Sequence, residues 1–374
     1  MPSKEADHVS WDGLLQRSWP REVERLDREA RVRLTGKRVL VTGAGGWIGS
    51  ALARAVAKTN TRELVLLDAA EGALHEVSQA LNASGGAVPH TAVLASVCDS
   101  AAVDEIFGQY QPNIVYHAAA FKHVPLMEKH PFAVVANNTL GTCVLAEAAA
   151  KHGCERMVMV STDKAADPAS LMGASKRIAE LVMLGTKAPS TRMQVVRLSN
   201  VLGSSGSVVP LFLRQIARGG PVTVSHSEVR RFFMTTKEAV ATLLGTLQPV
   251  CPAGLLVPEP GASIHVLDLA KYLIGEKGTS IVFTELRPGD KMEEAMISAR
   301  EAYSGEAVGL LRKVDTPLIN GDELVAGIKA LEEAVRRREV GLLLAAVLRL
   351  VPEYRPSLLL RERVSAVAGA AVNA

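Results

Sequence analysis

The stretch Val39-Leu40-Val41-Thr42-Gly43-Ala44-Gly45-Gly46-Trp47-Ile48-Gly49 decides how this chain is read. Val39 to Thr42 are apolar or β-branched and read as a buried strand. Glycines follow at Gly43, Gly46 and Gly49, and an apolar run that reads as a helix begins at Ile48. A strand, a glycine turn and a helix in that order make a pyrophosphate site. Absent side chains let the phosphates come close to the backbone, and the helix N-terminus offers free N–H groups and a positive dipole end. A glycine triplet alone is weak evidence, and here its context strengthens it. The next apolar run, Leu64 to Leu67, closes with Asp68. That carboxylate suits the adenosine ribose hydroxyls and repels a 2′-phosphate, so the cofactor expected is NAD rather than NADP.

Around this stretch the chain alternates. Strands are expected at Arg38–Thr42, Glu63–Leu67, Thr91–Ala95, Ile114–Tyr116, Met157–Ser161 and Met193–Leu198. Helices are expected at Ser50–Lys58, Leu74–Leu81, Ala101–Tyr110, Pro131–His152 and Gly173–Leu184. Alternation of this kind predicts an α/β fold with a Rossmann-type, doubly wound parallel sheet, ligands gathering at the carboxyl ends of the strands. Residues 1–36 read as an N-terminal helical arm, either solvated or packed back on the domain or a neighbouring subunit. Residues 37–199 read as the NAD-binding domain. Residues 200–374 read as a smaller substrate lobe and C-terminal helices, with some segments returning to the main sheet.

Composition narrows the function. Lys and Arg number 42 against 39 Asp and Glu, a net charge of +3 that argues against a nucleic-acid partner. Cys98, Cys143, Cys154 and Cys251 lack metal-ligand spacing, so no metal is expected and a reducing, cytoplasmic setting is. The polar N-terminus shows no signal peptide, and the apolar run Gly341–Val347 is too short to span a bilayer.

Several segments read as site walls. Ser96 and Val97 follow the third strand, where the adenine lies in such folds. Ala118, Ala119 and Ala120 follow the fourth, and their small size lets a dinucleotide pass close to the backbone. Lys122 belongs to a polar loop, Phe121 to Pro125, that reads as the floor of the site. Asn137, Asn138, Gly141 and Thr142 are costly in the middle of a helix and are expected to brace the sheet or the site. His117, His123 and His226 read as polar lining or satisfied core residues.

The fifth strand ends in Ser161-Thr162-Asp163-Lys164, and Met172-Gly173-Ala174-Ser175-Lys176 opens the next helix. Met172 and Lys176 share one helix face. Here the chain resembles the extended short-chain dehydrogenases/reductases, in which a Tyr four residues before a Lys is the acid/base pair. Met172 stands in place of that Tyr, and a thioether cannot transfer a proton. The motifs G-A-G-G-x-I-G-S, H-A-A-A-x-K-H-V-P-L-M-E, S-T-D-K-A, M-G-A-S-K-R, N-V-L-G-S-S-G-S-V-V-P-L-F, R-x-F-M-T and L-R-P-G-D-K resemble those of nucleotide-sugar dehydratases of bacterial surface-polysaccharide synthesis. The strongest likeness is to UDP-N-acetylglucosamine 4,6-dehydratases, and it runs from about residue 12 to V-P-E-Y-R-P. Long members of that group carry a membrane anchor, and this chain resembles their catalytic domain with its preceding arm.

The resemblance implies a cycle on a UDP-sugar. Carbon 4 is oxidised, water is eliminated across carbons 5 and 6, and hydride returns to carbon 6. It casts Lys164 as the base for carbon 5 and Asp163 as the acid for the leaving hydroxyl. Thr162 lies near carbon 4, Met172 near the sugar ring, and Lys176 on the nicotinamide ribose. Lys164 must then be neutral and Asp163 protonated, shifts expected from burial and bound substrate. Asn200, Arg231 and Arg287 are the candidate contacts to diphosphate, sugar or uracil. Ser96 replaces an Asp that bonds the adenine amino group in the family, and Trp47 is placed to cover the pyrophosphate. Relatives pair helices into a dimer, which points to 101–110 with 131–152, or 131–152 with 173–184, in a homodimer or higher homo-oligomer. The rival readings are a dehydratase that inverts carbon 5, a simple 4-epimerase, and a catalytically dead NAD-binding protein.

Overall fold

The computed structural model describes residues 9, 11–15, 20–85, 88–259, 261–276 and 278–372. Its centre is a nine-stranded sheet. The strands are β1 (Arg38–Thr42), β2 (Glu63–Asp68), β3 (His90–Leu94), β4 (Ile114–His117), β5 (Arg156–Thr162) and β6 (Arg192–Leu198), then Gly254–Pro258, Leu311–Asp315 and Ala302–Val308. In space the order is β3-β2-β1-β4-β5-β6, then those three. All run parallel up to Gly254–Pro258, and the last two add as antiparallel strands. The order in which strands are added reverses between β1 and β4, so the crevice at their carboxyl ends is the ligand position of a doubly wound sheet.

The two-residue period of the strands sorts their side chains into two cores. Leu40, Val65, Leu67, Val115, Met157, Met159 and Val195 face one layer of helices. Val39, Val41, Leu64, Leu66, Tyr116, Val158 and Val196 face the other. The expected strands and helices are all present, with ends differing by one to a few residues.

The long helix expected over 131–152 is not uniform. It is α-helical at Pro131–Val135, takes a π turn over Ala136–Leu140, and resumes at Gly141–Lys151. This helix is long and apolar enough to cross a membrane, yet 67% of its most apolar window is buried inside this fold.

Beyond Asn200 the chain serves three places. A small lobe is built on Val209, Phe212, Val222, Val224, Val229, Phe233 and Leu269. The strand Gly254–Pro258 and the hairpin Ala302–Asp315 extend the main sheet. Helices Gly321–Arg337 and Val340–Leu350 return to the first core. The N-terminal arm also packs back. Helix Pro20–Leu34 buries Leu26, Ala30 and Leu34 on helix Thr236–Gly245, and Trp11 meets Tyr272 in the small lobe.

One dimer expectation is corrected. Helix Leu171–Gly185 is buried from Leu171 through Met183, covered within the same chain by the two C-terminal helices. Ile178, Leu181 and Met183 share a core with Leu324, Leu331, Leu343 and Leu350. This helix has no free face for a second copy.

A buried charge cluster ties that helix to the sheet and the added hairpin. The guanidinium of Arg197, 0% exposed, donates to Glu180 (2.7 and 2.8 Å) and to Glu301 (2.7 and 2.9 Å). Burial alone would raise the Glu301 carboxyl, but Arg197 outweighs it and holds it down at about 2. Its folded value lies below the unfolded one of about 4.3. The stabilisation is therefore present above about pH 4.3 and is lost as pH falls towards 2. We predict that Glu301→Ala lowers unfolding free energy by about 3–5 kcal/mol at pH 7, because it leaves Arg197 underpaired. Urea denaturation measures this, and the deficit shrinks towards pH 3.

Candidate active site

The glycine turn has no room for side chains. A Cβ on Gly43, which sits at φ +66°, would come within 2.5 Å of the Ala119 nitrogen, and one on Gly45 within 2.6 Å of Ala73 Cβ. A Cβ on Gly49 would overlap the Gly43 carbonyl oxygen. The helix Trp47–Val56 therefore starts hard against the turn. Its N-cap is Gly46, which supplies no capping side chain. These are the features a pyrophosphate requires of a helix N-terminus.

Asp68 holds the turn from outside. Its Oδ2 accepts from Gly45 N and its Oδ1 from Ala70 N, both at 2.9 Å. Trp47 donates from Nε1 to Thr236 Oγ1 (3.0 Å), which pins its indole to the helix Thr236–Gly245, and Ile48 packs into the second core. Ser96 Oγ accepts from Cys98 N, and Val97 is buried beneath the π turn, against Gly141. Ala118 N donates to Thr42 O, with Ala119 and Ala120 beyond it at the crevice.

The π turn explains the polar residues inside the long helix. Asn138 Oδ1 accepts from Phe121 N, while its Nδ2 donates to Phe121 O and Ser175 Oγ. It clamps the floor loop to the helix that carries Lys176. Thr142 donates to the Asn138 carbonyl and meets His117 Nε2 at 3.0 Å, and His117 Nδ1 meets Thr42 Oγ1 at 2.8 Å. Burial and then the nearby Lys176 push His117 down to about 3, so it serves as a neutral connector in the core.

The strand β5 ends at the middle of the sheet and delivers Thr162, Asp163 and Lys164 to the crevice. Asp163 is fully buried and accepts from three neighbours. These are Lys164 Nζ (3.0 Å) and Thr162 Oγ1 (2.9 Å) at Oδ1, and Asn200 Nδ2 (3.2 Å) at Oδ2. Lys164 Nζ also donates to Asn200 Oδ1 at 3.2 Å. Asn200 thus bridges both members of the pair.

Helix Leu171–Gly185 is fitted against this turn. A Cβ on Gly173 would overlap the Lys164 carbonyl oxygen. Ser170 caps the helix, and Glu128 Oε1 accepts from Leu171 N at 2.7 Å. Met172 and Lys176 are both 3% exposed. Burial pushes Lys176 down to about 8, with Glu180 pulling the other way.

Two expectations need correction. Burial does work against the Lys164 ammonium, but Asp163 and Glu294 outweigh it, so the protein's own groups hold this amine above its ordinary value. Arg231 does not offer a free fork. It donates to the carbonyls of Arg230, Lys291 and Met292 and so fastens the segment that follows the L-R-P-G-D-K motif. Arg287, by contrast, is largely exposed and donates to Asp290 Oδ2 (2.8 Å). Lys122 is exposed on the floor loop. Sequence reasoning missed Glu294, which is 4% exposed and lies 3.7 Å from Lys164 Nζ. Its only cue was a place three residues after that motif.

A family model described as "Polysaccharide biosynthesis protein" matches residues 39–314. The chain belongs to that family. Among its curated relatives, "Probable polysaccharide biosynthesis protein EpsC" of Bacillus subtilis is 42% identical over 73% of this chain and 47% of its own length. "Capsular polysaccharide biosynthesis protein CapD" of Staphylococcus aureus is 41% identical over 72% of this chain and 46% of its own. The chain spans about half the length of these two family members. Pen from Bacillus thuringiensis shares the fold, with a TM-score of 0.68 at 24% identity, over 79% of this chain and 99% of that one.

We predict that Gly49→Ala weakens NAD binding by about tenfold or more, a loss of at least ~1.4 kcal/mol. Fluorescence titration with NADH checks this, with circular dichroism to confirm the fold.

Proposed function

We propose that the chain is an NAD-dependent 4,6-dehydratase of a nucleotide sugar. The substrate proposed is UDP-N-acetylglucosamine, and the product keeps its configuration at carbon 5. The observation that carries this reading is the Thr162–Asp163–Lys164 cluster, bridged by Asn200, beside a helix with Met at 172. A 4-epimerase has no use for an acid and a base at this position and relies on the phenol that Met172 replaces. Family membership supports a polysaccharide-precursor substrate. The glycine turn Gly43–Gly49 and Asp68 would hold NAD, which would supply the hydride acceptor and donor for the sugar.

The protein's own groups do the proton work. Elimination needs a carboxylic acid at Asp163 and a free amine at Lys164. That form carries as many protons as the ion pair seen here. It is reached by moving one proton across the 3.0 Å hydrogen bond from Nζ to Oδ1. Lys164 Nζ then takes the proton on carbon 5, and Asp163 gives its proton to the hydroxyl leaving carbon 6. The Nζ–H protons exchange with solvent, so Nζ returns a solvent-derived proton to carbon 5 on the face the first one left. Thr162, hydrogen-bonded to Asp163, and Lys176, pushed down to about 8, are the groups proposed to receive the proton of the 4-hydroxyl. Met172 contributes packing only. Arg287 and Lys122 are the exposed cations offered to the diphosphate.

Incubation with UDP-N-acetylglucosamine in deuterated water, followed by proton NMR, tests the reading. We expect a 4-keto-6-deoxy sugar with deuterium at carbon 5 and ring couplings of the retained configuration. Inverted couplings would mean the epimerising dehydratase, and a 4-epimer with no solvent deuterium would overturn the elimination. Asp163→Asn and Lys164→Met should each lower kcat by roughly 10²–10⁴-fold.

A further inference from the structure

Among the described residues, Glu294 is the carboxylate with a buried, unpartnered oxygen. Its side chain is 3% exposed, and its Oε2 has no hydrogen-bond partner. Three cations surround it just beyond hydrogen-bonding distance: Lys164 Nζ at 3.7 Å, Arg231 Nε at 3.8 Å and Lys291 Nζ at 3.7 Å. Two of them are held elsewhere. Arg231 is fastened to the carbonyls of residues 230, 291 and 292, and Lys291 donates to Ala166 O. Lys164 is the one that changes charge in the proposed reaction. Among the described residues, Asp163 and Glu294 are the carboxylates within 4 Å of its Nζ.

The geometry points to Glu294 as the counter-ion of the Lys164 ammonium during proton abstraction, a positioning residue that acts through Lys164. This rests on the dehydratase reading. When Lys164 takes the carbon-5 proton, Asp163 still keeps its own proton for the leaving hydroxyl. The pair's internal counter-charge is absent at that moment, and Glu294 alone supplies it. The bookkeeping balances: the C–H bond gives its proton to Nζ, the electron pair stays on the sugar as an enolate, and Glu294 changes neither protons nor bonds. A fixed charge in a water-poor site stabilises such a developing charge without reorganisation. Burial holds the Glu294 carboxyl above its ordinary value and Asp163 adds to the rise, while Lys164 first, then Arg231 and Lys291, pull it back towards the carboxylate. The groups facing Glu294 are thus Lys164 and Asp163 from the end of β5, Arg231 from the small lobe, and Lys291 from its own segment.

The test has one arm that needs no turnover. Competitive acetylation of Lys164 across pH, read by peptide mass spectrometry, reports where its amine loses its proton. In Glu294→Gln that midpoint should fall by about one pH unit or more, and in Glu294→Asp by less. If Glu294→Gln does not fold, the Asp variant carries the test. An unmoved midpoint in the folded variant overturns the proposal. In the turnover arm, Glu294→Gln should lower kcat roughly 10²-fold with KM little changed, and should move the limb of the pH–rate profile that reports Lys164 to lower pH. Glu294→Asp should recover part of the rate. An unchanged kcat and profile would overturn the counter-ion role. A wild type that fails to turn over UDP-N-acetylglucosamine would sink the dehydratase reading instead, with the acetylation result still deciding whether Glu294 governs Lys164.

Discussion

Everything at the site hangs on a helix that has no solvent side. From Leu171 to Met183 each residue is buried, and a buried polar group is costly unless it is paired. Two kinds of partner meet that cost. Arg177 and Glu180 join Arg197 and Glu301 in one ionic cluster. Ser175 is held by Asn138 and by the Met172 carbonyl. Among the described residues Lys176 has no ion pair, so burial outweighs the more distant pull of Glu180 and lowers its proton affinity. The residue expected to hold a cofactor ribose is thus also the least compensated charge on the helix.

The Asp163–Lys164 turn inherits its position from the same helix. Gly173 lets the helix press onto the Lys164 carbonyl, and Ser170 and Glu128 satisfy the helix's first amides. The glycine turn after β1 follows the same logic, since Gly49 lies against the Gly43 carbonyl. In both places a helix N-terminus is brought close to a strand's end by the absence of a side chain. One contact shapes the glycine turn and the other fixes the Asp163–Lys164 turn.

The local parts of this design could be read from the sequence. The strand–glycine–helix stretch, the alternation of elements and the residues at the end of β5 are contiguous, so spacing and periodicity carry them. What could not be read depends on distant segments. Glu294 reaches Lys164 from 130 positions further along the chain. Arg231, read as a ligand for phosphate, is consumed by the carbonyls of residues 291 and 292. The π turn is set by Asn138 bonding to Phe121 and Ser175, two partners that no periodicity reveals. The tail helices, legible as helices, gave no sign that they would cover Leu171–Gly185.

Glu128 accepts from the first amide of the central helix through one carboxylate oxygen and from Ser357 Oγ through the other. The first of those partners follows soon after Glu128 in the chain, while the second comes more than two hundred residues later. One carboxylate thus joins the head of the central helix to a segment far along the chain, so the two must be docked together before both of its oxygens are satisfied.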